Sequence, residues 1–512
     1  MTKESESKVN GEETQKEEVT KKFESQAKAA PTPRVAVPWE AELNEVLKAL
    51  RDAPDAVRER FVAWQKAKAD PTPPSDSRQF ALAMSGYVAG ADAAVDELAT
   101  AQLLWRMRGL VRDYLKSADS APRAEILKSL EAISIPGEAG PSLALKKLDT
   151  VTRLAVRMPP PLSEESPTPT APASKVLRVR DDDSAEPTEY AVSLPPEYHP
   201  LRAYPTIVAL HHGNGPAAAI AWWSAEAARR GYIVIAPEYR VAGQGKDYQY
   251  TESEHAAVEL ALRDAKRRYA VDADRVFLGG QLTGGNMAFD FGPAHPDLFA
   301  GVVVIGGLPF KYVTRYLQHN AKDLPLYVAL GDLAPAGNEV VFGEVLKPLI
   351  LKAWDVTYVE YFRRGLEDFP EEAPHVFDWM DHREPRSPYP KSFAVDTART
   401  SDNRFFGVVV RDFLPGRATA PEVVDGFGKN LKPATLKLES SRLSNLIKVT
   451  TTGVKHVDVW ISPALIDFTK KMEVRINGRS QKGAPKPDLT PLLEDLRVRG
   501  DRRQTYWMKV SG

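Results

Sequence analysis

From Trp39 to Met158 apolar residues recur every three to four positions, as in "WEAELNEVLKALRDAPDAVRERFVAWQKA" and "ELATAQLLWRMRGLVRDYLKSADSAPRAEILKSLEAI". That spacing keeps one face of a helix apolar, so it predicts a helical domain over residues 38–157, with Trp64, Trp105 and the leucine stripes as its core. After residue 174 short β-branched runs take over: "KVLRVR", "EYAVSL", "TIVALHH", "YIVIAPEY", "RVFLGG", "GVVVIGG", "LYVALG" and "TYVEYF". From the third run onward amphipathic stretches such as "TESEHAAVELALRDAKRRYA" lie between them. Strands that alternate with helices bury both faces of a mostly parallel sheet, which makes residues 175–400 an α/β domain. The first two runs, joined by the polar turn "RDDDSAE", are expected to pair antiparallel. Over residues 415–512 the period drops to two in "ATLKLES", "LIKVTTTG", "HVDVWIS", "MEVRINGRS" and "QTYWMKV". This predicts a small β-rich domain, with a hairpin turn at Asn477-Gly478 and one short helix at "LTPLLEDLRVRG".

Two stretches carry no such pattern. Residues 1–37 are rich in Glu, Lys and Ser and cannot bury enough surface to offset ordering their backbone, which predicts a disordered charged arm. Residues 158–174, "MPPPLSEESPTPTAPAS", read as a proline-rich linker. Charge adds an exclusion: 68 Lys and Arg against 69 Asp and Glu leave no basic excess for a phosphate backbone, so nucleic acid is not an expected partner. The absence of cysteine excludes disulfides, thiolate metal sites and a cysteine nucleophile. The N-terminal stretch has no apolar segment of the signal-peptide kind, and nowhere is there the run of about 18 apolar residues that spans a bilayer. Read as it stands, the chain is expected in the cytoplasm without a membrane span; a longer N-terminus would move that expectation outside the cytoplasm.

The candidate chemistry lies in "RVFLGGQLTGGNMAFDF", Arg275 to Phe291: a strand, a glycine-flanked turn and a helix, with Leu282 at the apex. Gly280 and Gly284 stand two residues either side of it, the spacing of the G-x-S-x-G turn that presents a serine nucleophile. With the strand pattern around it, this region resembles the α/β-hydrolase superfamily, most nearly the esterase branch that looks like polyhydroxyalkanoate depolymerases and prolyl-oligopeptidase-type domains. The resemblance runs from about Lys175 to His382. It implies an eight-stranded, mostly parallel sheet with helices on both faces, and a catalytic serine, acid and histidine at three fixed places.

All three places hold hydrocarbon side chains. The nucleophile position is Leu282; the acid position in "LGDLAPAG" is Ala334, with Asp332 two residues earlier; the base position in "YFRRGLEDFPEEAPHVFDWMDHR" is Leu366. Leucine carries no group that can attack a carbonyl. The substitutions are chemically coherent, because a buried carboxylate that lost its imidazole would keep its desolvation cost and lose its hydrogen bond. The loop "LHHGNGPAAAIAWW" survives after the third strand, so the resemblance implies an oxyanion-type cradle from Gly213 or Asn214 and the backbone N–H of Thr283, with Trp222 at the cleft. Thr283 as nucleophile would need a one-residue slip that puts Gln281 where glycine belongs, and His375 lies in a predicted helix rather than at the base position. His211 and His212 are adjacent on a strand end and face opposite ways; "GQGKD" at Gly243 lacks the rest of a phosphate-binding loop. No metal or other cofactor is expected. The resulting expectation is a non-catalytic hydrolase homologue that binds a small carbonyl or carboxylate ligand or a protein partner; the alternative is an active ester or peptide hydrolase built on other residues.

Overall fold

A computed structural model describes residues 39–163, 174–180, 187–240, 247–309, 317–335, 337–418 and 432–512. The charged arm, most of the linker, the turn at 181–186 and the "GQGKD" motif from Gly243 to Lys246 lie outside those residues. The chain divides into two compact units at Arg106 and Met107. In the first, helices α1 (Glu40–Asp52) and α2 (Asp76–Ala89) bury Phe80, Ala81 and Met84, with Trp39 stacked on Phe80 at 4.4 Å. Trp64 is buried and Trp105 packs against the same cluster. The second unit takes in most of α3 (Leu98–Lys116), α4 (Ser120–Glu131) and α5 (Gly140–Arg157), and everything after them. The split falls inside residues 38–157, the stretch read from its pattern as a helical domain. Periodicity shows which face of a helix is apolar, not which core receives it.

All eight predicted sheet strands form. They are β1 (Lys175–Val179), β2 (Thr188–Ser193), β3 (Tyr204–Leu210), β4 (Ile233–Pro237), β5 (Val271–Gln281), β6 (Gly301–Ile305), β7 (Leu326–Gly331) and β8 (Val356–Tyr361). Their order is β1-β2-β4-β3-β5-β6-β7-β8. β1 and β2 pair antiparallel, β2 pairs antiparallel with β4, and the rest run parallel. Successive side chains on a strand point to opposite faces, and the core divides accordingly. Ile207, Ala209, Val234 and Ala236 pack with α6 (Pro216–Arg230) and, through Phe377 and Met380, with the C-terminal helix of the domain. Val208, Leu210, Ile233 and Ile235 pack on the other face with α7 (Glu252–Arg268) and α8 (Thr283–Ala294). The C-terminal helix is α9 (Ala373–Asp381). This is the eight-stranded, mostly parallel sheet with helices on both faces that the resemblance implies.

The C-terminal region forms two further sheets. β9 (Ser392–Thr397) lies inside the range read as the α/β domain, yet it pairs with β12 (Ala434–Ser441). β10 (Arg404–Phe405) and β11 (Val408–Phe413) form a second sheet with β14 (Val454–Ile461) and β17 (Met508–Ser511). β13 (Leu446–Thr452), β15 (Met472–Ile476) and β16 (Arg479–Gly483) complete the first. The β15–β16 hairpin turns at Asn477 and Gly478, with φ of 48° and 84°, as Asn-Gly predicts. "LTPLLEDLRVRG" supplies α10 (Leu489–Arg499), capped by the Asp488 side chain on the Thr490 N–H. Among the described residues no helix is long and apolar enough to cross a membrane.

Candidate functional site at the carboxyl ends of the strands

One residue separates the end of β5 from the start of α8, so Leu282 alone reverses the chain. It does so at φ 50° and ψ −115°, in the left-handed region where a non-glycine residue costs roughly 1–3 kcal/mol. The Leu282 N–H donates to the Ile305 carbonyl at 2.8 Å, and its own carbonyl accepts from the Asn286 N–H at 2.9 Å. The flanking glycines are required by contact. A Cβ on Gly280 would stand 2.1 Å from the Gly284 carbonyl oxygen, and one on Gly284 would stand 2.1 Å from the Leu210 carbonyl oxygen. The turn is therefore a sharp strand-to-helix bend with an aliphatic side chain at its apex.

The loops after β7 and β8 close beside it. Asp332 N–H donates to the Tyr361 carbonyl at 3.0 Å and Leu333 N–H to the Arg364 carbonyl at 2.9 Å, so the two loops are stitched together through their backbones. Ala334 is buried in the first loop, its N–H bonded to the Gly331 carbonyl at 3.1 Å. Leu366 is 38% exposed in the second. Gly306 links this pair to the apex: a Cβ built there would meet the Glu367 carbonyl oxygen at 2.2 Å and Cδ2 of Leu282 at 3.1 Å. The tertiary structure thus gathers the loops that hold Leu282, Ala334 and Leu366 at the carboxyl ends of the strands. His375 is exposed on α9.

The loop that carries Leu366 is held by charge and stacking. Arg364 Nε donates to Glu367 at 3.0 Å, the same guanidinium pairs with Glu371, and it lies 4.5 Å from the centre of the Phe369 ring. Tyr361 stacks on Phe369 at 4.4 Å. Trp222, placed by the sequence at the cleft, donates its indole N–H to the Asp368 carbonyl at 3.2 Å and so anchors this loop from α6.

On the other side, Gly213 and Asn214 are exposed in the turn between β3 and α6, and Thr283 is the half-buried first residue of α8. Buried His211 places Nδ1 2.8 Å from the His212 carbonyl oxygen and Nε2 3.1 Å from Glu238 Oε1, with its ring stacked on Tyr239 at 4.5 Å. Arg240 bridges the group, donating from Nε to Glu238 at 3.0 Å and from Nη1 to the Gly213 carbonyl at 3.1 Å. Burial alone would raise the pKa of Glu238, but the hydrogen bonds from His211 and Arg240 outweigh it and hold the carboxyl at about 2. His211 is thereby occupied with structural partners. Sequence reasoning missed Glu238, Arg240 and Arg364, because a single charged residue in a loop carries no sign of the partner it will meet.

No protein-family model matches the chain. Among curated proteins, poly(3-hydroxyalkanoate) depolymerase C of Paucimonas lemoignei is 26% identical over 150 residues, which is 26% of this chain and 36% of that protein. The chain thus matches about a third of that relative's length. Among solved structures, a thermostable esterase is 18% identical with a TM-score of 0.35, covering 41% of this chain and 62% of the other. A ferulic acid esterase is 15% identical with a TM-score of 0.35, covering 40% of this chain and 96% of the other. The S-formylglutathione hydrolase of Staphylococcus aureus is 13% identical with a TM-score of 0.32, covering 41% and 98%. In strand order and in its strand-to-helix bend the chain has the α/β-hydrolase fold, and over 150 residues it is similar to the depolymerase.

Proposed function

We propose that this protein is a non-catalytic α/β-hydrolase homologue that acts by binding, through the cleft at the strand ends, a small carbonyl or carboxylate compound or a protein segment that presents one. A single observation supports the reading above all others: a leucine sits in the strained apex conformation that this fold otherwise uses to present an oxygen nucleophile. Loss of the nucleophile alone removes roughly 10⁶-fold in turnover from a serine hydrolase, because its catalytic residues work as a unit. The exposed Gly213-Asn214 turn, fixed by Arg240, is the part of the site suited to accept a ligand oxygen.

Incubation with a short-chain aryl ester and with a fluorophosphonate probe tests the proposal. The expected outcome is turnover no faster than the buffer blank and no covalent labelling. Leu282→Ser alone is expected to stay inactive, since Leu366 supplies no general base; the pair Leu282→Ser with Leu366→His is expected to label weakly if the scaffold still aligns them. Turnover or labelling of the unaltered protein overturns the proposal and favours a hydrolase built on other residues.

A further inference from the structure

A second group of ionisable side chains meets inside the protein, away from the strand-end loops. His255 and Glu259 lie one turn apart on α7, His295 follows the last residue of α8, and Asp402 follows β9. His255, His295 and Asp402 are all buried, at 0%, 4% and 2% exposure. The neighbouring hydrogen bonds fix the tautomer of His255. Tyr248 donates its hydroxyl proton to Asp290 Oδ2 at 2.5 Å and lies 2.8 Å from His255 Nε2, so that nitrogen carries the ring proton. In the neutral ring Nδ1 then turns a lone pair toward Asp402 Oδ1, 3.3 Å away. His295 Nε2 stands 3.4 Å from the same oxygen and 3.5 Å from Glu259 Oε1, and hydrogen-bonds to neither. Two imidazole nitrogens and a carboxylate oxygen that converge in a dry interior are suited to hold a cation between them.

The spacing fits one. Ligand bonds of about 2.0–2.1 Å in a tetrahedron put the donor atoms about 3.3–3.4 Å apart, and the two separations from Asp402 Oδ1 are 3.3 and 3.4 Å. Charge fits as well. Asp290, Asp402 and Glu259 face the group with one guanidinium, Arg399, an excess of negative charge that favours a cation beside the imidazoles.

We propose that His255, His295 and Asp402 form a site for a divalent cation of the zinc class, with the Glu259 carboxylate beside His295 at its rim. The partners one step out would set the ligands: Arg399 Nη1 holds Asp402 Oδ2 at 2.9 Å, and Tyr248 and Asp290 hold the far side of His255. Glu259, 32% exposed, gives the ion its path from solvent. The three ligands come from α7, the residue after α8 and the segment after β9, so the ion would tie these parts of the fold together. None of this depends on whether the strand-end cleft is catalytic.

The test is titration of the chelator-stripped full chain with Zn²⁺ and with Co²⁺. Expected are one equivalent bound, a visible Co²⁺ spectrum of tetrahedral type and a raised unfolding midpoint. Glu259→Gln, at a partly exposed position where folding is checked by circular dichroism, is expected to weaken Zn²⁺ binding by about tenfold or more, and His295→Gln by more still. An unchanged midpoint with no bound equivalent overturns the proposal, leaving a proton in the ion's place. Binding undiminished in both variants overturns it too, since the ion would then sit elsewhere.

Discussion

At the residue scale the glycines of the β5–α8 bend and the glycine of the turn after β3 face opposite demands. Gly284 has no room for a methyl group: its Cβ would meet the Leu210 and His211 carbonyl oxygens at 2.1 and 2.8 Å. Gly284→Ala is therefore expected to lose about 2–3 kcal/mol of unfolding free energy, measured by denaturant titration. Gly213 has nothing within 4 Å of the same built atom, so Gly213→Ala should stay within about 0.5 kcal/mol of the unaltered protein. A drop at Gly213 as large as at Gly284 would show that the turn between β3 and α6 is packed rather than open. The glycine spacing was legible in the sequence because a close backbone approach tolerates only one residue type. The strain at Leu282 was not, since leucine itself gives no sign of a positive φ.

At the element scale the turn after β4 carries a pH-dependent clamp. Glu238 titrates at about 2 in the folded chain against 4.5 ordinarily. A carboxyl lowered in the folded state contributes stability that is present above pH 4.5 and is lost as the pH falls toward 2. Unfolding free energy is thus expected to fall across that window, and Glu238→Gln should flatten this part of the profile; an identical slope in the variant would remove Glu238 from the account. Strand identities in this region were legible, because a strand buried on both faces needs a continuous β-branched run. β9, β10 and β11 were not assigned, although "SFAVDT" and "VVVRDF" alternate in the same way as the later strands. They follow α9 directly, where the pattern gives no mark of a change of sheet.

At the scale of the whole second unit, a buried charge network joins the α/β sheet to the C-terminal region. Asp501 lies 3.1 Å from Arg386 and 3.5 Å from Lys266, and Arg386 reaches Asp274 at 3.1 Å. Burial opposes ionisation of Asp501, but Lys266, Arg386 and Arg499 outweigh it and hold the carboxyl well below its usual range. Asp501→Ala removes the carboxylate that buried Lys266 meets and one of the two that Arg386 meets, and is expected to cost about 3–5 kcal/mol. A change below about 1 kcal/mol, read by denaturant unfolding, would mean that the network contributes little beyond solvation. Helices from the region before the sheet join the same unit: Tyr114 donates to Glu494 at 2.6 Å and Trp507 Nε1 to Thr152 at 3.0 Å. Such pairs, 380 and 355 positions apart, leave no mark in the local pattern of the helical region.

The sequence by itself determined the eight sheet strands, the faces they bury, the bend between β5 and α8 and the hydrocarbon side chain at its apex. These follow from periodicity and from steric limits on neighbouring residues, which act over a few positions. Only the tertiary structure decided that the loops of Ala334 and Leu366 are stitched together beside Leu282, that His211 is held by Glu238, and that His255 and Asp402, 147 positions apart, come to face one another. Those contacts depend on how distant elements share one core, and no local pattern encodes a partner that the chain reaches only by folding.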